Sequence, residues 1–388
     1  MAPDEIMAPD EIMTPDESTQ APDEVETILL QSLRSSPIFS DRKFIGLNAS
    51  LASDPRMAPA FKAILEDFEI LANRIPVGDY ISDFAQRQSL LYELHSALLR
   101  QLSYPPFTPS MIAVFMVAPL DMLRPVMEGV RRGDRLHILG LMGELRLATE
   151  AIRNYLSRGG SATTQVPETQ SEQGLRSDVD QESPKCEYEL RDGNQCFMAG
   201  TSDPACASIF PRATGSDKSL HLQAVLLAFW GKEKASAWKA KFMNPAFVES
   251  HQNHLSLHRQ LHFWFDHARF AFKPLPSDNK NERRLQFHWL KRGFQSFESE
   301  FYGDPLADSG LDAESIKTWG EGFAHRRSGL PIETGQVFTI TSEDPDDLPD
   351  WDMLELQWDL LRMAAIAGAA DVDDDMTQAS EDGDGDAD

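Results

Sequence analysis

Asn253 and His262 stand nine residues apart in the stretch NHLSLHRQLHFWFD, and Asp266 follows His262 by four positions. On a helix that last spacing places an imidazole and a carboxylate on one face. Together they can hold a divalent cation, or the carboxylate can orient the imidazole as a ligand. Histidine also has an ordinary pKa near ~6.5, which lets it take up or release a proton around neutral pH. Three further histidines, His251, His254 and His258, lead up to His262 at spacings of three and four. The same residues read first as the polar stripe of an amphipathic helix and only second as a dedicated zinc site.

The stretch resembles the second half of the HNH nuclease motif. The first half corresponds to RDGNQCFMAGTSDPACASIFP, read as a hairpin, where the family writes Ala-His-Ile-hydrophobic-Pro and this chain has Ala207, Ser208, Ile209, Phe210 and Pro211. The resemblance covers residues 186–294, with weaker similarity reaching to about 369 in the style of a fungal HNH-domain family. It implies a ββα unit around a single divalent ion: a hairpin supplies a histidine base, an asparagine steadies the hairpin loop, and a helix supplies a metal-binding histidine. Carried over, Asn253 is the loop asparagine, His262 the metal ligand, Asp266 a carboxylate beside it, and Ser208 the residue in the base position. The implied cofactor is Mg2+, with Mn2+ or Zn2+ as alternatives.

Such a site suits phosphodiester hydrolysis, in which water attacks in line. One group must take the water's proton, and a cation must offset charge on the phosphoryl and leaving oxygens. A serine hydroxyl is far too weak a base at neutral pH, so Ser208 in that position would cost about 10²-fold to 10⁴-fold in rate. Ala207 offers no side-chain ligand where many HNH sites place one. Asp203, His221 and His254 are the nearby substitutes, and the spacing favours none of them. The expected function is a metal-dependent endonuclease-like protein weakened at Ser208. The alternative is a non-catalytic nucleic-acid or protein binding module on a degenerate HNH scaffold.

Charge bears on the partner. The chain carries a formal net charge of -26, which taken alone argues against phosphate binding through Lys and Arg. Many of the acids lie at the two ends, from Asp4 to Glu26 and from Asp371 to Asp388, where there is no Lys or Arg. Residues 212–294 instead hold fourteen Lys or Arg against six Asp or Glu, a net of +8. Nucleic acid, DNA above all, is therefore expected along 212–294, with the acidic ends available to protein partners or to compete for that basic segment. Interleaved aromatics such as Trp230, Trp238, Phe263 and Trp264 read first as apolar cover for a small site and second as base-stacking rings. The tail Asp371-Val372-Asp373-Asp374-Asp375 lacks the glycine that a calcium loop needs at its sixth place.

Three cysteines, none in a C-x-x-C pair, write neither a disulfide framework nor a four-cysteine zinc site. The acidic, Pro-rich start differs from a secretory signal, and no run of ~18 apolar residues is present. An intracellular protein of cytoplasm or nucleus, with no membrane partner, is the expectation.

These residues need elements to position them. Residues 1–26 repeat an acidic hexad that reads as a disordered tail. Residues 27–156 read as a helical module, with apolar residues Phe61, Ile64, Leu65, Phe68 and Leu71 on one face and further helices over 79–102 and 136–156. Ser-, Thr-, Gln- and Gly-rich residues 157–185 read as a disordered linker. Residues 186–369 form the HNH-like domain: a hairpin within 186–210, helix over 219–242, a loop entering a helix over 253–268, and paired strands near 270–273 and 285–290. A strand at 338–341 and a closing helix at 351–369 follow, before a disordered tail at 370–388. The fold class is α+β: a helical amino-terminal module joined to an HNH-like ββα-metal domain with a helical carboxy-terminal extension.

Overall fold

A computed structural model of the chain describes residues 75, 81–101, 106–156, 191–211, 216–290, 296–305, 323–326, 329 and 331–369. The acidic hexads, the apolar face at 61–71, the linker 157–185 and the acidic tail lie outside the described residues. All described residues belong to one compact unit, Asn73–Asp388.

The first part of this unit is helical, with α1 Phe84–Gln101, α2 Pro109–Val117, α3 Leu120–Arg131 and α4 Arg135–Leu156. Every residue of α2 is buried, as a helix that is apolar on all sides requires. Thr108 caps its start by accepting from the Met111 N–H, and Pro109 sits in the first turn where no N–H is needed. Its far end is closed by Arg87 of α1, whose Nη1 donates to the carbonyls of Phe115 and Ala118 at 2.8 and 2.6 Å. Burial lowers the Arg87 pKa to about 10, helped by the nearby Arg362.

The second part begins with strand β1 Ala205–Ser208 and continues through α5 Ser216–Phe229, α6 Lys232–Phe242 and the single turn α7 Pro245–Val248. Strand β2 His254–Leu257, helix α8 Arg259–Asp266, strands β3 Phe270–Leu275, β4 Glu282–Trp289 and β5 Val337–Thr341, and helix α9 Trp351–Ile366 complete it. The helix expected over 219–242 is two helices. Gly231, with φ of 84°, turns the chain between them, and a Cβ there would lie 2.8 Å from the Met122 Cε.

Two antiparallel sheets result. β3, β4 and β5 form one, with Phe270 opposite Trp289 as the expected pairing of 270–273 with 285–290 requires, and with Gln286 opposite Val337, a pairing of the expected strand at 338–341 that the sequence left open. β1 and β2 form the other. Of the hairpin expected within 186–210, the described residues 191–210 hold only the isolated antiparallel bridge Gln195–Ser202, and β1, which pairs elsewhere. Positive φ at Gly193, Asn194, Gly200 and Asp203 bends the chain too often for a long strand. β1 finds its partner beyond the helical excursion 209–253.

Helix α9 packs against β3 and against α2, and α4 packs along α5. Helices from both sides of residues 157–185 thus share one core. Phe265, Phe270, Phe272 and Phe287 are completely buried in it, and Trp289 nearly so. No helix among the described residues is long and apolar enough to cross a membrane.

Candidate functional site

The strand pair β1–β2 and helix α8, which starts two residues after β2 and packs on β1, make a ββα arrangement. Ladder register sorts its side chains. Ala207 lies opposite Leu255 and Ala205 opposite Leu257 on one face, and Ser208 lies opposite His254 and Cys206 opposite Ser256 on the other. Ala207, Leu255 and Leu257 are completely buried, whereas Ser208 and His254 are half-buried.

Asn253 ties the unit together. Its side chain is fully buried and accepts from the Phe210 N–H through Oδ1 at 2.9 Å. Its Nδ2 donates to the carbonyls of Phe210 and Val248 at 2.8 and 2.9 Å. The Asn253 carbonyl accepts from the Ile209 N–H at 2.7 Å. A primary amide is the smallest side chain able to donate twice and accept at once, so the residue type follows from the three backbone groups that it satisfies.

A buried ion pair fixes the other edge. Arg191 and Asp192 are bound to each other at 2.7 Å with side chains 3% and 1% exposed. Arg191 also donates to the carbonyls of His251, His254 and Asp347, and Asp192 accepts from the Ser256 N–H. In the sequence Asp192-Gly193 reads only as a turn. The pair was not legible because its partners lie about sixty residues and more away.

Helix α8 has Leu261, Trp264 and Phe265 buried at the i, i+3, i+4 spacing. His258 caps it, its Nδ1 accepting from the Gln260 N–H at 3.2 Å. His262 and Asp266 occupy an adjoining, partly open face, with Nε2 and Oδ2 3.1 Å apart and side chains 25% and 24% exposed. The spacing expected to bring these two together does so. The four histidines do not share a helix: His251 lies in a 3-10 turn, His254 in β2, His258 at the cap and His262 within α8.

Among the described residues no group of three or more His, Cys, Asp and Glu is placed to hold a metal ion. The donor set at His262 and Asp266 is one imidazole and one carboxylate. It suits an ion that keeps most of its waters, as Mg2+ does, and falls short of the three or four protein ligands that zinc takes.

Several cations of the basic segment are already paired. Lys241 bonds Asp350 and Asp352 at 2.7 and 2.6 Å, Lys234 meets Glu355 at 3.2 Å, and Arg259 meets Asp203 at 3.3 Å. Burial opposes the Lys241 charge, yet the two carboxylates carry its pKa above the ordinary lysine value. Trp230 and Trp238 are buried in the core, and Phe263 is 46% exposed.

Comparison with protein-family models, with curated proteins and with solved structures returned no match to this chain.

Proposed function

We propose that residues 191–290 carry an HNH-like ββα unit that acts on nucleic-acid phosphodiesters as a weakened, metal-dependent endonuclease. The observation that carries this reading is the Asn253 clamp: a fully buried amide binding the end of β1 to the start of β2, immediately before a helix that presents His262 and Asp266 as a pair.

In this reading His262 and Asp266 hold a hydrated divalent cation, Mg2+ or Mn2+. When bound, the cation offsets negative charge on the phosphoryl and leaving oxygens. Asn253 and Arg191 keep the two strands in register so that the diester and its attacking water meet fixed groups. Ser208 cannot take the water's proton at neutral pH, which supports slow turnover.

The second reading, a binding module without catalysis, is favoured by Ala207 and Ser208 where ligand and base would stand and by the ion pairs that occupy Lys234, Lys241 and Arg259. A plasmid nicking assay separates the two. Slow cleavage that requires Mg2+ or Mn2+ and is lost in His262→Ala supports the endonuclease. Metal-independent DNA retention without cleavage supports the binding module. The absence of both removes nucleic acid from the account.

A further inference from the structure

Helix α4 carries a second apolar stripe on the side away from the core. Ile138, Leu141, Met142 and Leu145 face inward and are buried. On the opposite side Leu136, Leu139, Gly143, Leu147 and Glu150 follow one another at spacings of three and four, which sets them in line along the helix. Leu136 is 82% exposed and Leu139 42%, and Leu147 is half-buried. We infer that this outer face of α4 is a self-association surface, on which the helix crosses the α4 of a second copy of the chain, antiparallel, about Gly143. The inference goes beyond the proposed hydrolysis and does not depend on it.

The glycines point to a second chain. Gly140 and Gly143 lie inside a helix of 22 residues, where glycine is the poorest residue short of proline. Both are exposed and neither has a positive φ. A Cβ built at either position meets no atom of the described residues within 4 Å. The fold itself would thus accept a better helix former at each. Their missing side chains leave room for a helix that approaches from outside, because the distance between packed axes, about 8–10 Å, is set by the side chains at the crossing.

The face is complementary to itself. In an antiparallel pair with a twofold axis at Gly143, each residue stands opposite the one equally far along on the other side of that glycine. Leu139 then meets Leu147 of the second copy, and Leu136 lies along the aliphatic stem of its Glu150. Arg135, exposed at the start of α4, comes beside the same Glu150. Near that carboxylate Arg153 already serves two acids, Glu150 and Glu298, so a further cation is favourable there. Within one chain Arg135 and Glu150 cannot meet, since the rise of a helix holds them about 22 Å apart. The opposed helix dipoles add to the pairing. One helix crossing covers less than the roughly 800 Å² per partner of a standard interface, so the dimer forms at micromolar concentrations rather than below.

Sedimentation velocity of the full chain over about 1 to 200 μM tests the inference, with a shift from monomer to dimer mass expected across that range. Gly143→Gln should raise the melting temperature measured at the lowest concentration and weaken the dimer about tenfold or more, because it improves the helix and fills the crossing. Arg135→Glu and Glu150→Lys should each weaken association. A mixture of these two variants should restore it, since every contact between positions 135 and 150 in the mixed dimer then joins opposite charges. A chain that stays monomeric throughout overturns the inference. So does a dimer that Gly143→Gln leaves as tight, which places the contact elsewhere, or a mixture no more associated than its components. A melting temperature lowered by Gly143→Gln overturns it as well, since the face would then be covered by residues of its own chain.

Discussion

At the scale of single residues, the buried amide of Asn253 does what no neighbouring side chain can. It satisfies one N–H and two carbonyls at the junction of β1, α7 and β2. Truncation in Asn253→Ala strands those groups without water and should cost about 2–4 kcal/mol, the range for buried partners left unpaired. Urea unfolding of the described unit measures it, and a loss below about 0.5 kcal/mol would contradict the clamp. His262 and Asp266 were legible from sequence because an i, i+4 pair is a local property of a helix. The pairing of Ser208 with His254 was not, since it depends on which strand β1 meets after the excursion 209–253.

At the scale of elements, the packing of β2 depends on one ion pair. Arg191 reaches the carbonyls of His251, His254 and Asp347 while its charge is balanced by Asp192. Arg191→Met would leave the Asp192 carboxylate buried and unpaired, a loss of about 3–5 kcal/mol. Circular dichroism during thermal melting should show a much earlier transition, and an unchanged midpoint would show that the pair is dispensable. The pairing of β3 with β4 is legible in the sequence because two apolar stretches flank a polar loop at 276–284, whereas β5 is legible as a strand but its partner is not. β1 could be recognised as a strand but was given the wrong partner. Residues 191–203 look hairpin-like by composition, yet their left-handed backbone positions at Gly193, Asn194, Gly200 and Asp203 exclude a strand. The helix break at Gly231 was hidden in the same way, since φ is not written in hydrophobic periodicity.

At the scale of the whole molecule, helix α9 joins the three-stranded sheet to the helical layer, and the joint contains a buried histidine. His288 of β4 packs 4.7 Å from Trp358, is 3% exposed, and pairs through Nε2 with the Gln286 Oε1. Burial, aided by Lys273 and Arg362, lowers its pKa to about 3. The unfolded chain binds a proton at this ring below its ordinary value near ~6.5, and the folded chain does not do so until about pH 3. Stability should therefore fall as the pH drops through that window, by up to about 1.4 kcal/mol per unit from this group. His288→Gln should flatten that part of the acid limb in denaturant titrations from pH 7 to 4; an identical slope in both proteins would count against it. Charge is also a property of the whole. The basic segment 212–294 is legible as a run of Lys and Arg, but the pairing of its Lys234 and Lys241 with Glu355, Asp350 and Asp352 of the α9 region is not. The proposed function turns on whether His262 and Asp266 of α8 hold a divalent cation. Crystals of the chain soaked in Mn2+ test it most directly. The account predicts an anomalous peak between the His262 Nε2 and the Asp266 carboxylate, absent in His262→Ala; well-ordered crystals without that peak, at any Mn2+ concentration that saturates cleavage, would contradict it.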